Sequence, residues 1–209
     1  MKKTFRVTAL VICFHLAGML QACKIDCGCE PAITRVTDYK AVTLSNLDNS
    51  GTCPVQSSFN EMPAGAVAFA AALSNCFDNV CRHSRPGMAF SVAWACDCPP
   101  PLLTFNQQVT GISVLTLRPL QGAPAGTEVT ERFLAQPQGP EFRQCGGDFR
   151  DVDDLPASLN GLQFGSGDLP GFYLFAKETL QADSVQFVVN LSLSDGRVLA
   201  DTTNVIALR

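Results

Sequence analysis

Charge is scarce in this chain, and histidine and tryptophan are scarcer still. Charged residues make up 16% of 209, with 15 Lys and Arg against 19 Asp and Glu, and there are two histidines and one tryptophan. A formal charge of −4 leaves no basic excess to neutralise phosphates, so nucleic acid is not an expected partner. The sequence lacks G-x-S-x-G, H-E-x-x-H and a phosphate-cradling glycine loop. The signatures of nucleophile-elbow hydrolases, zincins and P-loop enzymes are therefore missing, and no catalytic residue, cofactor or metal ligand is assigned. Neither an internal repeat nor a heptad pattern is present. The mostly apolar stretch from Val7 to Leu20 holds 14 residues; as a helix it spans about 21 Å, short of the ~30 Å hydrocarbon core that a membrane-crossing segment must traverse.

That stretch has another use. Lys2, Lys3 and Arg6 precede it and Gln21-Ala22-Cys23 closes it, which is the order of a basic n-region, an apolar h-region and a small residue before a cleavage point. Leu20-Gln21-Ala22-Cys23 resembles the lipobox of bacterial lipoproteins, whose cysteine thiol receives diacylglycerol before the preceding peptide bond is cut. The resemblance implies that Cys23 is lipidated and becomes the mature N-terminus. The plainer alternative is an ordinary secretory signal cut near Ala22 with an incidental cysteine; the order of signal, small residue and cysteine favours lipidation. Each buried CH₂ of an acyl chain contributes about 0.8 kcal/mol to membrane binding, so the partner expected first is a bilayer, through the lipid. Lys24 follows the cysteine where an Asp would favour inner-membrane retention in many Gram-negative bacteria, so the outer membrane is the expected location, its face left open. Ile25-Asp26 only faintly resembles the Lys-plus-acidic tethers of surface display in Bacteroidota.

Cleavage after residue 22 leaves 187 residues and removes three positive charges and no negative one, giving −4 − 3 = −7. That length suits one domain. The expected organisation is a signal peptide at 1–22, a lipidated tether at 23–34 and a single domain at 35–209. Setting aside Cys13 and Cys23, eight cysteines remain: Cys27, Cys29, Cys53, Cys76, Cys81, Cys96, Cys98 and Cys145. An even number in an exported chain reads as disulfides, with 105 conceivable pairings. Cys27-Gly28-Cys29 and Cys96-Asp97-Cys98 are also C-x-C pairs whose thiolates, two apart on a strand, share one face and suit Cu(I) or Zn(II). An oxidising compartment favours bridges over that use.

Frequent Gly and Pro and few charges suit a turn-rich β protein. The run from Ile33 to Leu44 reads as a strand, 45–62 as loop, and Ala66 to Leu73 as a buried strand. Gly87 to Cys96 alternates and stops at Pro99-Pro100-Pro101, because proline donates no ladder hydrogen bond. Thr110 to Leu117 is a further strand, 119–126 a loop, 127–134 a short helix or an extended segment, and 151–162 holds a short helix with Asp153 or Asp154 as its cap. Gly171 to Lys177 is apolar and aromatic. Ser184 to Leu193 puts Val185, Phe187, Val189, Leu191 and Leu193 on one face. Asp195-Gly196 then marks a hairpin, since glycine tolerates the positive φ that primed turns demand, before a strand from Val198 to Leu208. The fold expected is an all-β, Ig-like antiparallel β-sandwich of about seven strands, with short helices in its loops.

Ala95-Cys96-Asp97-Cys98-Pro99, TGISVLTL from Thr110, Pro124 to Thr127 with Phe133, and the terminal FVVNLSLSDGRVLADTTNVIAL are similar to a family of Bacteroidota cell-envelope lipoproteins of unknown function. The resemblance covers residues 90–209 and the signal; its terminal pattern is matched by Asp195, Gly196, Thr202, Thr203, Ile206 and Leu208. It implies an envelope lipoprotein with a β-rich body and supplies no reaction, ligand or catalytic residue.

Remaining candidates each have a plainer reading. Asp148, Asp151, Asp153 and Asp154 could hold Ca²⁺, but their spacing is not that of an EF-hand, and a solvated acidic loop is preferred; whether it binds calcium stays open. His83, beside Ser84 and between Arg82 and Arg85, could serve a nucleophile, but a surface turn is preferred. Trp94, Tyr39 and Tyr173 could stack on sugars, but Trp94 lies on the apolar face of its strand and suits the core. The expected role is a membrane-anchored envelope module, binding or structural, meeting an envelope protein or glycan. The alternative is a thiol-based metal or redox protein of the envelope.

Overall fold

The computed structural model describes residues 34–57, 60–75, 102–138, 147–165 and 170–209. All of them fall within one compact unit, 33–87 with 100–209; a second unit, 1–32 with 88–99, lies outside the described residues.

In chain order the strands are β1 (Thr34–Thr37), β2 (Ala41–Asp48), β3 (Val55–Gln56), β4 (Glu61–Met62), β5 (Val67–Ser74), β6 (Leu102–Phe105) and β7 (Val109–Thr116). A 3-10 turn, Thr130–Arg132, leads into β8 (Phe133–Gln138), followed by β9 (Arg150–Asp151) and a second 3-10 turn, Val152–Asp154. Helix α1 (Leu155–Gly161) precedes β10 (Phe164–Gly165), β11 (Gly171–Ala176), β12 (Ser184–Val185), β13 (Phe187–Leu193), β14 (Val198–Thr202) and β15 (Ile206–Leu208). The fold is all-β and sandwich-like, as the alternation and turn content of the sequence lead one to expect. Of the fifteen strands among the described residues, seven have five or more residues: β2, β5, β7, β8, β11, β13 and β14.

The larger sheet has six strands in the order β3-β2-β5-β11-β8-β9, and three-stranded sheets run β14-β13-β7, β12-β15-β4 and β1-β6-β10. Because successive residues of a strand point to opposite faces, β5 sends Val67, Phe69, Ala71 and Leu73 inward, β11 sends Phe172 and Leu174, and β8 sends Phe133 and Ala135. Ile112 and Val114 of β7 and Phe187, Val189, Leu191 and Leu193 of β13 belong to the same buried cluster. At its centre three fully buried rings from the two sheets meet. Phe187 lies 5.4 Å from Phe69 and 5.3 Å from Phe133, and Phe69 lies 6.0 Å from Phe133. Tilted and edge-on geometry sets the positive ring edge against the negative ring face. At one margin β14 reaches β2 through a side chain: Asp201 Oδ2 accepts the backbone N–H of Leu44 at 2.7 Å.

The final hairpin forms where the Asp-Gly pair marks it, with β13 and β14 paired from Ser192–Val198 to Val188–Thr202. Its turn differs from the primed type. Gly196 alone has positive φ, at 85°, its N–H donates to the Leu193 carbonyl and the Leu193 N–H to that of Arg197. These bonds describe a three-residue loop with glycine in the left-handed position.

Several expected boundaries are corrected. The strand read from Ile33 to Leu44 is broken at 38–40, where the chain passes from the β1-β6-β10 sheet to the six-stranded one. The segment read as loop at 45–62 carries the end of β2 together with β3 and β4. The strand read from Val198 to Leu208 divides because Thr203 turns aside: its N–H donates to the Phe187 carbonyl and its Oγ1 accepts the Phe187 N–H. Two pairings, β1 with β6 and β15 with β4, are parallel, against an all-antiparallel expectation; parallel neighbours need a long connection, and residues 38–101 supply one. Asp154 does occupy the N-cap position of α1, but the preceding 3-10 turn gives it helical backbone angles and its side chain makes no cap hydrogen bond. The expected strand from Gly87 to Cys96 and the triple proline lie outside the described residues.

Close approach of β11 to β5 depends on Gly171. A Cβ there would lie 2.6 Å from the Ala71 carbonyl oxygen and 3.0 Å from Gln138 Oε1, and a backbone atom in a central ladder cannot step aside. Gly171→Ala is expected to lower stability by about 1–3 kcal/mol. Gly161→Ala, where nothing lies within 4 Å, is expected to change it by less than ~0.5 kcal/mol. Urea unfolding of both variants checks the contrast, and equal stabilities would overturn it.

Candidate functional site

The residues singled out in the sequence are dispersed. Cys23, Cys27, Cys29, Cys76, Cys81, Cys96, Cys98 and Cys145 lie outside the described residues, as do Arg82, His83, Ser84, Arg85 and Trp94. Cys53 lies in the turn between β2 and β3 and is not free. Tyr173 is half-buried on the outer face of the six-stranded sheet, with its ring 6.1 Å from that of Phe175.

The acidic loop borders a cleft of about 540 Å³. Glu128, Glu131, Asp151, Asp153 and Asp154 line it with one cation, Lys177. Lys177 Nζ lies 2.6 Å from Asp151 Oδ1, so one carboxylate is already paired, and Asp148 is not part of the lining. Among the described residues no three His, Cys, Asp or Glu side chains converge as a metal site requires. The cleft is a solvated anionic surface.

A second cavity, of about 340 Å³, is built differently. Tyr39, Leu103, Phe105, Leu159 and Phe164 give it apolar surface, and Gln107, Gln108, Asn160 and Gln163 give it amides. No lining residue carries a formal charge. The bend at 38–40 positions Tyr39. Its backbone N–H donates to Gln107 Oε1 at 3.0 Å, while Gln107 Nε2 and Asn106 Nδ2 each donate to Asp38 Oδ1 at 2.8 Å. The Tyr39 ring thereby stacks on Phe105, with centroids 3.9 Å apart and planes 2° from parallel, and Phe164 meets Phe105 edge-on at 6.3 Å. From the end of α1, Asn160 holds the far wall: its Oδ1 accepts the Val109 N–H and its Nδ2 donates to the Val109 carbonyl, both at 2.9 Å.

Two ionisable groups are tuned by this arrangement. The hydrogen bond from Asn106, then that from Gln107, then Lys40 hold the Asp38 carboxyl below the usual carboxylate range. Burial pushes the Tyr39 phenol up to about 12. Tyr39 is 2% exposed, and its hydroxyl makes no hydrogen bond to any described residue.

The chain matches no protein family, no curated protein and no solved structure. Its functional reading therefore rests on its own residues. The sequence pointed to Tyr39 as an aromatic contact but missed Phe105, Gln107, Asn160 and Phe164, which lie tens of residues away along the chain. The amide run Asn106-Gln107-Gln108 between two β segments is the one local signal that could have marked the site. No helix among the described residues is long and apolar enough to cross a membrane.

The two shifts predict opposite pH limbs. Asp38, depressed in the folded state, contributes stability that is present above the unfolded carboxylate value near 3.9 and lost as pH falls below it. The stability gap between the native chain and Asp38→Asn is expected to close on acidification. Tyr39, raised in the folded state, contributes stability that is full below about 10 and lost as pH rises through about 12. Tyr39→Phe is expected to melt no lower than the native chain at neutral pH, and to lack its share of the alkaline loss. Melting temperatures across both limbs measure this, and a gap that stays constant with pH contradicts the assignment.

Proposed function

We propose that this protein is a lipid-anchored module of the bacterial cell envelope, held at the outer membrane through Cys23, with a β-sandwich body that serves a binding or structural role toward an envelope protein or glycan. The observation that carries the reading is the run Leu20-Gln21-Ala22-Cys23 behind a basic and then apolar leader. The reading makes Cys53, which is not free, a disulfide cysteine, the state that an exported chain acquires and a cytosolic one avoids. On this reading Cys27, Cys29, Cys76, Cys81, Cys96, Cys98 and Cys145 complete a disulfide framework. The all-β body agrees with such a role, offering recesses at its margins and rigid strands behind them.

Metabolic labelling with an alkyne palmitate analogue in a Gram-negative host, followed by membrane fractionation, tests the anchor. The native chain is expected to carry label and sediment with outer membranes, and Cys23→Ser to carry none and leave the membrane fraction. An unprocessed, unlabelled chain in the cytosol would overturn the reading. Thiol titration of the unfolded mature protein without reductant is expected to find fewer than one free thiol per chain. Free C-x-C thiols with bound copper or zinc would replace it with a thiol-based metal function.

A further inference from the structure

The uncharged cavity between β6 and the end of α1 has the lining of a ligand site. Its polar groups are amides, each offering both donors and an acceptor. Asn160 spends one of each on Val109, and Gln107 is committed to Tyr39 and Asp38. Gln108 and Gln163 are exposed, and their side chains make no hydrogen bond to any described residue. The apolar part is aromatic: Phe105 remains half-buried although Tyr39 covers one face. Tyr39 lines the cavity as well; its hydroxyl makes no hydrogen bond to any described residue and is not one of the buried polar atoms left without a partner, so the oxygen is within reach of solvent. A hydroxyl without a protein partner can exchange its water for a ligand oxygen.

A charged ligand would be desolvated here with no counter-charge among the lining residues, which is unfavourable. An aliphatic one would leave the tyrosine hydroxyl and the amides unmatched. The complement is a neutral molecule with an apolar face and a rim of groups that both donate and accept, of a size suited to a space near the lower end of small-molecule sites, about 300 Å³. A pyranose ring has that chemistry, with C–H bonds on its faces and hydroxyls on its equator. We propose that this cavity binds a neutral saccharide unit, with Phe105 against a ring face, Gln108 and Gln163 on the equatorial hydroxyls, and Tyr39 donating its hydroxyl to a sugar oxygen. This deepens the reading of the protein as a binding module and rests on it.

The test uses the full chain, in lipid nanodiscs if acylated and in buffer if not, with glycoside detergents avoided because they would compete. Methyl β-D-glucopyranoside, methyl β-D-galactopyranoside and N-acetylglucosamine are titrated by saturation-transfer NMR, with glucuronate, glucosamine and a capped leucine amide as comparisons. At least one neutral sugar is expected to bind saturably, and the three comparison compounds at least tenfold more weakly. Phe105→Ala is expected to weaken binding at least tenfold and Gln163→Ala about fivefold. Gln163 is exposed, so its variant keeps the fold if Phe105→Ala does not. Saturable binding by no neutral sugar, equal binding by a charged sugar or the leucine amide, or affinity unchanged in the Gln163 variant would each overturn the proposal. A palmitoylated outer-membrane protein that binds no sugar removes this inference and leaves the anchor standing; a sugar-binding chain without lipid does the reverse.

Discussion

Phe187 reaches from β13 to meet Phe69 of β5 and Phe133 of β8, all three fully buried, and the registers of both sheets must agree with that meeting. A shift of one residue in β13 would turn Phe187, Val189 and Leu191 outward together, because side-chain direction along a strand has a period of exactly two residues. The same shift in β5 would exchange Phe69 for Ala68 or Ala70. Dense packing of this kind transmits strain instead of absorbing it, which is why the neighbouring ladder has no room for a Cβ at Gly171.

With the two sheets so fixed, the chain has to change sheets at their margins, and the irregular features gather there. The bend at 38–40 is one such crossing. Passing from β1 to β2 leaves the Tyr39 N–H without a ladder partner, and Gln107 supplies one from 68 residues away. A buried backbone donor must be satisfied, so the amide is held in place by the topology. The cavity beside it is therefore a by-product of crossing that acquires a defined lining.

Where the sequence was informative, the information was periodic. The alternation from Val185 to Leu193 matches five buried side chains, and Asp195-Gly196 marks a hairpin. The breaks were not legible because each is made by a side chain bonding to distant backbone: Gln107 to Tyr39, Thr203 to Phe187, Asp201 to Leu44. Such bonds leave no trace in hydrophobic periodicity. The acidic loop was visible as composition, but the pairing of Asp151 with Lys177 depends on β8 pairing with both β9 and β11 in the folded sheet. Tyr39 stood out as an aromatic, while its partners, Phe105 against the ring and Gln107 on the backbone, come from β6 and the turn after it.

Asn160 has a consequence beyond the wall it holds. Its amide meets the N–H and carbonyl of Val109 as a residue of another strand would, and further along β7 the Thr130 hydroxyl accepts the Val114 N–H while the Val129 N–H reaches the Val114 carbonyl. β7 is the last strand of its sheet, and unpaired terminal strands invite docking by a neighbouring chain. On the proposed lipid anchor, copies held side by side on a bilayer would collide far more often than copies in dilute solution. Side chains and loop backbone that stand in for a missing strand deny such collisions a template, so crowding need not become polymerisation.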